Sequence, residues 1–314
     1  MKAEDAMAIT GADGWLFLTN ELRHMAVGRF WGESAAKASK AKSPKDADPL
    51  PAILDFKRQL DVLGMDLLLV PVPPKAIIYP DKLAAKGVSS SEGKGVERLD
   101  AVHQEFYKLL RDKGVNVLDL TEDFLVNRLA AEGPMYCRQD SHWSGVACNL
   151  AARRIAENIR QKAWYEGVKR TKFEPDIVSV TITGDLWSTL KEDVRPERES
   201  LKLRTIHTSS GDLVPPDKNS PVILLGDSHN LVFHAGGDMH ASGAGLPDQL
   251  AFELGFAVDL QAVRGSGATP ARINLYRHSS TEPGYLAKKK IIVWCFTARE
   301  FTESQGWRLV PVAK

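Results

Sequence analysis

Continuous apolar runs of strand length, set between helical patterns, limit what this chain can fold into more than any other feature. The run MDLLLVPV (65–72) follows apolar residues at helical spacing over Leu50–Leu63, with Gly64 between the two. A strand that is buried on both faces reads as an unbroken apolar run, because neither face meets water. Helix, glycine and buried strand in succession indicate an α/β fold with a central, mostly parallel sheet.

The same succession returns along the chain. Amphipathic helices are predicted over Val96–Lys113 and Ser144–Lys162. Further strands are predicted at VNVLDL (115–120), PVILLGDS (221–228), FAVDLQAV (256–263) and KKKIIVWCFTARE (288–300). Residues 163–220 carry many prolines and charges, with VSVTIT (178–183) as a candidate strand, so we expect an irregular insertion there. We therefore predict one α/β domain over residues 1–314.

Composition narrows the class of protein. The chain has 314 residues, 43% of them apolar and 26% charged, which is ordinary for a soluble globular protein. The formal net charge of +1 does not indicate a nucleic-acid partner, and no apolar run approaches the ~20 residues that span a bilayer. Cys137, Cys148 and Cys295 lack metal-binding spacing and allow at most one disulfide. We expect no metal, no cofactor and no nucleic acid.

One predicted strand ends abruptly at a polar tetrapeptide. The segment VILLGDSHNLVFH (222–234) changes from apolar to Gly-Asp-Ser-His. Open α/β sheets bind ligands at the carboxyl ends of their strands, where Ser228 lies. Backbone N–H groups in the following turn could stabilise an oxyanion there. The tripeptide is a weak pattern, and Asp227 and Ser228 could equally do no more than cap the next segment.

A second polar segment supplies what a serine nucleophile needs. Such a serine requires a base, and the base requires a group that orients it. YCRQDSHWSG (136–145) places Asp140 and His142 two residues apart, so that in a loop their side chains project to the same side. The same segment also fits a helix start capped by Ser141 or Ser144, and the two interpretations are compatible. Trp143 is either a core aromatic or a wall of the site.

The remaining histidines are weaker candidates for the base. His229 follows Ser228 directly, and adjacent side chains diverge. Three others have no neighbouring carboxylate in a comparable arrangement, and we expect them to be solvated or bonded locally: His234, His240 and His278. No function is assigned to His103 or His207.

Together these segments resemble the SGNH hydrolase-like domain of alginate O-acetyltransferases of the AlgJ/AlgX type. Four blocks carry the resemblance in the same order: GADGWLFL (11–18), LLLVPVPPKAIIYPDKL (67–83), QDSHWSG (139–145) and VILLGDSH (222–229). The last strand, IIVWCFTAREF (291–301), extends the similarity. Each block alone is weak, whereas the ordered set is fairly specific. The resemblance implies a three-layer SGNH hydrolase-like domain.

The resemblance also assigns the candidate site. It implies that Ser228 is the nucleophile, His142 the general base and Asp140 the residue that orients the base. The Asp-x-His block precedes the serine, which is this family's order and a permutation of the order in SGNH hydrolases at large.

The oxyanion hole is expected in VRGSG (263–267), with Gly265 or Gly267 as donor and Arg264 as added positive charge. SGNH proteins often use an asparagine as a further donor. The asparagine expected after the last strand is absent, and Arg299 stands in that region instead. VRGSG could equally be a plain loop, and Arg299 could form a structural ion pair with Glu300.

The resemblance implies an O-acetyltransferase that acetylates an alginate-like exopolysaccharide through an acetyl-serine intermediate. An integral-membrane acyltransferase would supply the acetyl groups, a polysaccharide would accept them, and other subunits of the exopolysaccharide machinery would be partners. The expected compartment is the periplasm, with a signal or membrane anchor outside this sequence. The chain stops at Lys314, so no C-terminal carbohydrate-binding module is expected.

Two alternatives stay open. The same three residues would serve a carbohydrate esterase or deacetylase, in which water replaces the sugar hydroxyl. A non-catalytic polysaccharide-binding subunit could also keep this fold.

Overall fold

A computed structural model describes residues 7–83 and 98–314. The strands are β1 Ala8–Thr10, β2 Leu16–Leu18, β3 Asp66–Val72, β4 Asn116–Val117, β5 Glu174–Thr181, β6 Ser200–His207, β7 Val222–Gly226, β8 Asp259–Ala262 and β9 Ile291–Thr297. The helices are α1 Thr19–Ala26, α2 Ala35–Ala38, α3 Pro49–Val62, α4 Lys75–Ile78, α5 Pro80–Leu83, α6 Ala101–Asp112, α7 Thr121–Asn127, α8 Gly145–Arg160, α9 Leu246–Leu254, α10 Thr269–Thr281 and α11 Glu300–Glu303. Short 3-10 turns connect several of them.

The central sheet has five strands in the order β4-β3-β9-β7-β8. All four neighbouring pairs are parallel. The predicted α/β class with a central parallel sheet is therefore confirmed. The predicted helix over Val96–Lys113 is observed as α6, and its first two residues lie outside the described part of the chain.

Both faces of the sheet are covered, which explains the unbroken apolar runs. Along β7, Val222 and Leu224 join one buried cluster, while Ile223 and Leu225 join another. Successive side chains of a strand point to opposite faces, so the two clusters lie on opposite sides of the sheet. Helices α8 and α9 contribute to the first cluster, and α3, α6 and α10 contribute to the second. The result is the predicted three-layer arrangement.

The segment 163–220 is more regular than expected. β5 and β6 pair antiparallel over their full eight residues, from Glu174 opposite His207 to Thr181 opposite Ser200. In β6 the residues Leu201 and Leu203 are buried, whereas Ser200 and Lys202 are exposed and Arg204 is half-buried. This alternation of period two is a strand signal that the charged residues of the segment obscured. The candidate strand VSVTIT (178–183) overlaps β5, and β6 is a second strand in the segment that the sequence analysis did not predict.

The three cysteines are all buried and free, so the disulfide that the sequence allowed is not formed. Within the described residues, no helix combines the length and apolar character that a membrane span requires. That residues 1–314 form one domain stays a prediction.

Candidate active site

Ser228 lies just beyond the carboxyl end of β7, at the start of a one-turn 3-10 helix over Ser228–Asn230. The Asp227 carboxylate closes this turn, since it accepts hydrogen bonds from the N–H groups of His229 (2.9 Å) and Thr297 (2.7 Å). Gly226 lets the strand pass close to β9, because a Cβ there would lie 1.7 Å from the carbonyl oxygen of Cys295. Asp227 is therefore the cap of the turn, and the Ser228 hydroxyl is left to face His142.

Three side chains form one hydrogen-bonded series. His142 Nε2 lies 2.8 Å from Ser228 Oγ, and His142 Nδ1 lies 2.6 Å from Asp140 Oδ1. All three residues are buried, and Ser228 keeps 9% of its surface exposed. The Asp140 carboxylate accepts a hydrogen bond from Nδ1–H, which leaves the lone pair of Nε2 free to accept the serine proton. The structure thus brings together the three residues that the two motifs supplied.

The Asp140 carboxylate accepts four hydrogen bonds. Oδ1 receives the backbone N–H and the Nδ1–H of His142. Oδ2 receives the backbone N–H of Asp185 and Nε2–H of His240, each at 2.8 Å. With two donors on each oxygen, the carboxylate plane is fixed against the imidazole ring.

The pKa values of the pair follow from these contacts. Burial would raise the pKa of Asp140, but the charge and hydrogen bonds of His142 and His240 hold it well below its ordinary value of 3.8. Burial would lower the pKa of His142, but Asp140 raises it above its ordinary value of 6.5. Asp140 is therefore ionised at neutral pH and stabilises the imidazolium that forms when His142 takes a proton.

The loop that carries Asp140 is anchored on both sides. Lys75 Nζ is buried and donates to the carbonyl oxygens of Leu16, Arg138 and Asp140, at 2.6, 3.0 and 3.1 Å. On the other side Ser144 caps α8, because its Oγ accepts the N–H groups at the start of that helix. The predicted helix start and the predicted base therefore coexist in one segment.

Trp143 supports the site from within the core. Its side chain is fully buried, and Nε1 donates to the carbonyl oxygen of His229 at 2.9 Å. A residue with no exposed surface cannot contact a substrate, so Trp143 is a core aromatic rather than a wall of the site. It ties the base-bearing loop to the turn that follows the nucleophile.

His229 is fully enclosed beside the base. Its ring centroid lies 4.8 Å from that of His142, and its Nδ1 lies 3.4 Å from the Asp227 carboxylate. Burial lowers the pKa of His229 to about 4, despite the opposing charge of Asp227. His229 is thus neutral near neutral pH, and it is His142, not His229, that contacts Ser228.

The residues expected around an oxyanion differ in how close they lie to the nucleophile turn and in how far they are buried. Gly267 packs against the nucleophile turn, since a Cβ on it would lie 2.9 Å from the backbone nitrogen of Asp227. Arg299 is mostly buried and donates to Thr297 Oγ1 at 3.1 Å. Gly265 has a φ of +100° and open space around it. Arg264 is exposed and pairs with Asp238 at 2.7 Å.

The expected partner of Arg299 is a different residue in the structure. Arg299 lies 3.8 Å from the buried carboxylate of Glu21, whereas Glu300 accepts a hydrogen bond from Ser266. The Arg299 charge opposes protonation of His142, although less strongly than burial does. Arg299 is therefore a cation held close to the three-residue series.

A cleft of about 480 Å³ opens beside His142. Its walls come from the base-bearing loop, the end of β5 with the turn after it, and the loop before α9. Ile182, Gly237 and Met239 form part of the lining, and the other lining residues carry hydroxyl groups, carboxylates and imidazoles: Asp140, His142, Thr181, Thr183, Asp185, Ser188, Asp238 and His240. Such a surface suits a ligand with many hydroxyl groups.

Three functional contacts were missed in the sequence. His240 was expected to be solvated or bonded locally, and this was wrong, because it bonds Asp140 from 100 residues away. Asp185 and Lys75 hold the same loop through backbone contacts. No local pattern marks such long-range contacts. The Lys75 position belongs to one of the matched blocks, which was the available signal.

Asp140, His142 and Asp185 offer three ligand atoms within 4.8 Å of one another. Both oxygens of Asp140 and both ring nitrogens of His142 already take part in hydrogen bonds. A cation here would have to replace those bonds, so the geometry fits proton transfer better than metal binding.

Comparison with known proteins points to one family. The family model described as "SGNH hydrolase-like domain, acetyltransferase AlgX" matches residues 8–298. The probable alginate O-acetylase AlgJ of Pseudomonas syringae pv. tomato is 24% identical over 232 residues, covering 71% of this chain and 54% of its own length. The AlgJ protein of Pseudomonas aeruginosa is 25% identical over 228 residues, covering 70% of this chain and 51% of its own. The chain thus spans about half the length of these curated relatives.

Solved structures share the fold. The O-acetyltransferase domain of Pseudomonas putida AlgJ superposes with a TM-score of 0.68 at 21% identity, over 94% of this chain and 91% of that one. Pseudomonas aeruginosa AlgX gives a TM-score of 0.65 at 17% identity, over 94% of this chain and 62% of that one.

Proposed function

Because the chain belongs to the AlgX family of SGNH hydrolase-like acetyltransferase domains, we propose that it transfers acetyl groups to hydroxyl groups of a polysaccharide through an acetyl-Ser228 intermediate. The observation that carries the proposal is the series from Asp140 through His142 to Ser228, with contacts of 2.6 and 2.8 Å. Such a series activates a serine for acyl transfer.

The first half-reaction forms the acetyl-enzyme. Ser228 Oγ attacks the acetyl carbonyl carbon of the donor, and His142 Nε2 takes the hydroxyl proton. The tetrahedral intermediate collapses with cleavage of the bond to the leaving group, which receives the proton from His142. Asp140 stays ionised throughout and stabilises the imidazolium.

The second half-reaction transfers the acetyl group. A sugar hydroxyl attacks the ester carbonyl on Ser228, and neutral His142 takes its proton. Collapse of the second tetrahedral intermediate breaks the bond to Ser228 Oγ, which regains its proton from His142. The enzyme returns to its starting state, and the product is a sugar acetate ester.

The oxyanion of both intermediates is assigned to backbone N–H groups. Among the described residues, the N–H groups of Ser228 and Gly267 donate no hydrogen bond, and Gly267 packs against the turn that carries Ser228. Unsatisfied donors aimed at a developing negative charge stabilise it in a site that excludes water. Gly265, with open space around it, is the weaker candidate.

The cleft beside His142 is the proposed place of the acceptor sugar, because its hydroxyl and carboxylate lining can exchange hydrogen bonds with a carbohydrate. The acceptor is proposed to be an alginate-like exopolysaccharide, in keeping with the AlgJ relatives, which are named as probable alginate O-acetylases. An integral-membrane acyltransferase would deliver the acetyl groups. The protein would work in the periplasm with other subunits of the exopolysaccharide machinery.

The experiment uses p-nitrophenyl acetate as donor and mannuronate oligosaccharides as acceptors, with Ser228→Ala as control. Mass spectrometry of the oligosaccharides should show acetyl esters with the wild-type protein and none with Ser228→Ala. Release of acetate without acetylated sugar would replace the proposal with an esterase. Equal nitrophenol release by both proteins would contradict the assignment of Ser228.

A further inference from the structure

His240 lies in a strained loop between the nucleophile turn and α9. Its φ is +72°, and among the described residues only two other non-glycine residues have positive φ, Asp13 and Phe233. Left-handed backbone is costly for a residue with a Cβ and persists where the surroundings hold it in place. Here the loop is closed by hydrogen bonds from Phe233 N to Met239 O and from Gly236 N to Ala241 O.

The side chain held in this way points at the Asp140 carboxylate. His240 Nε2 lies 2.8 Å from Asp140 Oδ2, and the imidazole is about as buried as that of His142, at 9% side-chain exposure. A carboxylate accepts and does not donate, so the proton of this bond sits on His240 Nε2. Asp140 thus stands between two histidines, one of which contacts Ser228 and one of which does not.

We propose that His240 is a positioning residue for the acyl transfer, which holds the Asp140 carboxylate in the plane that its bond to His142 requires. The inference rests on the proposed function. Without His240, Oδ2 keeps one protein donor, the backbone N–H of Asp185, and the carboxylate can turn about its Cβ–Cγ bond. The His142 ring would then lose the fixed orientation that directs Nε2 to Ser228.

His240 also moderates the charge of Asp140. A donor on Oδ2 draws electron density from the carboxylate and weakens its pull on the His142 proton. The other groups that face His142 are Asp185, His229 and Arg299, and they are untouched by a change at residue 240. Removal of the donor should therefore raise the pKa of His142 further.

Two variants separate this function from a structural one. His240→Gly removes the donor and suits the left-handed backbone, so the lost bond is partly offset by relief of strain. His240→Gln keeps an amide N–H at a similar reach. The matched control is His234→Gln, since His234 forms another histidine–aspartate pair, with Asp248 at 2.9 Å, in the same stretch of chain.

Steady-state hydrolysis of p-nitrophenyl acetate, thermal unfolding and a pH–rate profile are measured for all three variants. For His240→Gly we expect kcat to be roughly 10–100-fold below the wild-type value, which is the usual loss when a hydrogen bond that orients a site residue from outside is removed. KM should stay within about twofold of the wild-type value. Its thermal midpoint should stay near the wild-type value, and the acid limb of its pH profile should move to higher pH. His240→Gln should recover most of kcat, and His234→Gln should match the wild type.

A wild-type kcat and pH profile for His240→Gly would overturn the inference. So would a loss of activity that only follows a loss of folded protein. If Ser228→Ala is inactive while His240→Gly is fully active, this inference fails and the proposed function stands. If Ser228→Ala keeps wild-type activity, the proposed function itself fails.

Discussion

His142 Nε2 and Ser228 Oγ lie 2.8 Å apart, although 86 residues separate them in the chain. His142 comes from the loop before α8, and Ser228 from the turn after β7. A second contact supports it from the core, because Trp143 Nε1 donates to the carbonyl oxygen of His229 and so links the two segments. Any change that shifts one segment against the other should therefore act on this contact first.

Asp140→Asn should reduce kcat by roughly 10⁴-fold, the cost known for an aspartate-to-asparagine change in a serine–histidine–aspartate triad. An asparagine has only one acceptor oxygen, so its NH2 group must take the place of one carboxylate oxygen. In one orientation the NH2 group would face the N–H donors of His142, and in the other it would face those of His240 and Asp185. The His142 tautomer that accepts the serine proton would no longer be favoured. Steady-state kinetics with p-nitrophenyl acetate measures the effect.

The control for that substitution is Asp61→Asn, which alters an exposed ion pair with Lys57 on α3. It should leave kcat unchanged. Comparable rates for the two variants would show that Asp140 does not orient the base.

Activity should fall in acid as His142 becomes protonated. A protonated imidazole cannot take the Ser228 proton, so kcat/KM follows the neutral fraction of His142. Burial lowers the pKa of this histidine, but Asp140 raises it to a net value above 6.5. The acid limb of kcat/KM should therefore have its inflection above pH 6.5. An inflection below that value would mean that another group, or an unraised histidine, controls the rate.

The parallel sheet could be predicted because its strands are buried on both faces, which leaves an apolar run in the sequence. The runs that became β3, β7 and β9 are of this kind. VSVTIT (178–183) predicted only the second half of β5, because the residues of β5 are mostly exposed and its stability depends on pairing with β6. A strand whose partner lies about 20 residues away carries little local signal.

The site shows the same division. Asp140 and His142 could be proposed as a pair because they are two residues apart, and Ser228 because it ends a buried strand. His240 could not, because its contact with Asp140 depends on how the loop before α9 folds back over the sheet. Its left-handed backbone is also set by hydrogen bonds within that loop and not by a residue type that favours a turn.

Gly267→Ala should lower kcat with little effect on expression. The added Cβ would lie 2.7 Å from Phe296 Cβ and 2.9 Å from the Asp227 nitrogen, so the turn that carries Ser228 must shift. A displacement of the nucleophile by a fraction of an ångström reduces the rate strongly, by about 10²-fold for a full ångström. The kcat for p-nitrophenyl acetate reports the shift.

Gly167→Ala is the matched control, since a Cβ there meets no atom within 4 Å and its backbone is not left-handed. It should have wild-type activity. If Gly267→Ala were equally active, close packing of this glycine against the nucleophile turn would not matter for the reaction.

Lys75→Met should destabilise the fold by about 1–3 kcal/mol, the usual cost of leaving buried hydrogen-bonding groups without their partner. The change leaves three carbonyl oxygens without their donor, including that of Asp140, and leaves the buried Glu21 carboxylate with less positive charge nearby. Urea denaturation measures the free energy of unfolding.

Lys108→Met provides the comparison, because Lys108 forms an exposed ion pair with Asp112 that contributes about 0–1 kcal/mol. Equal losses for the two lysine variants would indicate that Lys75 does not anchor the Asp140 loop.

The central claim is that Ser228 carries the acetyl group between donor and acceptor. The protein is mixed with p-nitrophenyl acetate, quenched in acid within the first turnovers, digested and analysed by peptide mass spectrometry. The account predicts one acetyl group on Ser228 in the wild-type peptide, and this acetyl group should disappear when an acceptor oligosaccharide is added. In Asp140→Asn the acetyl group should form much more slowly than in the wild type. An unmodified Ser228 during turnover, or acetylation at another residue that supports the same rate in Ser228→Ala, would contradict it.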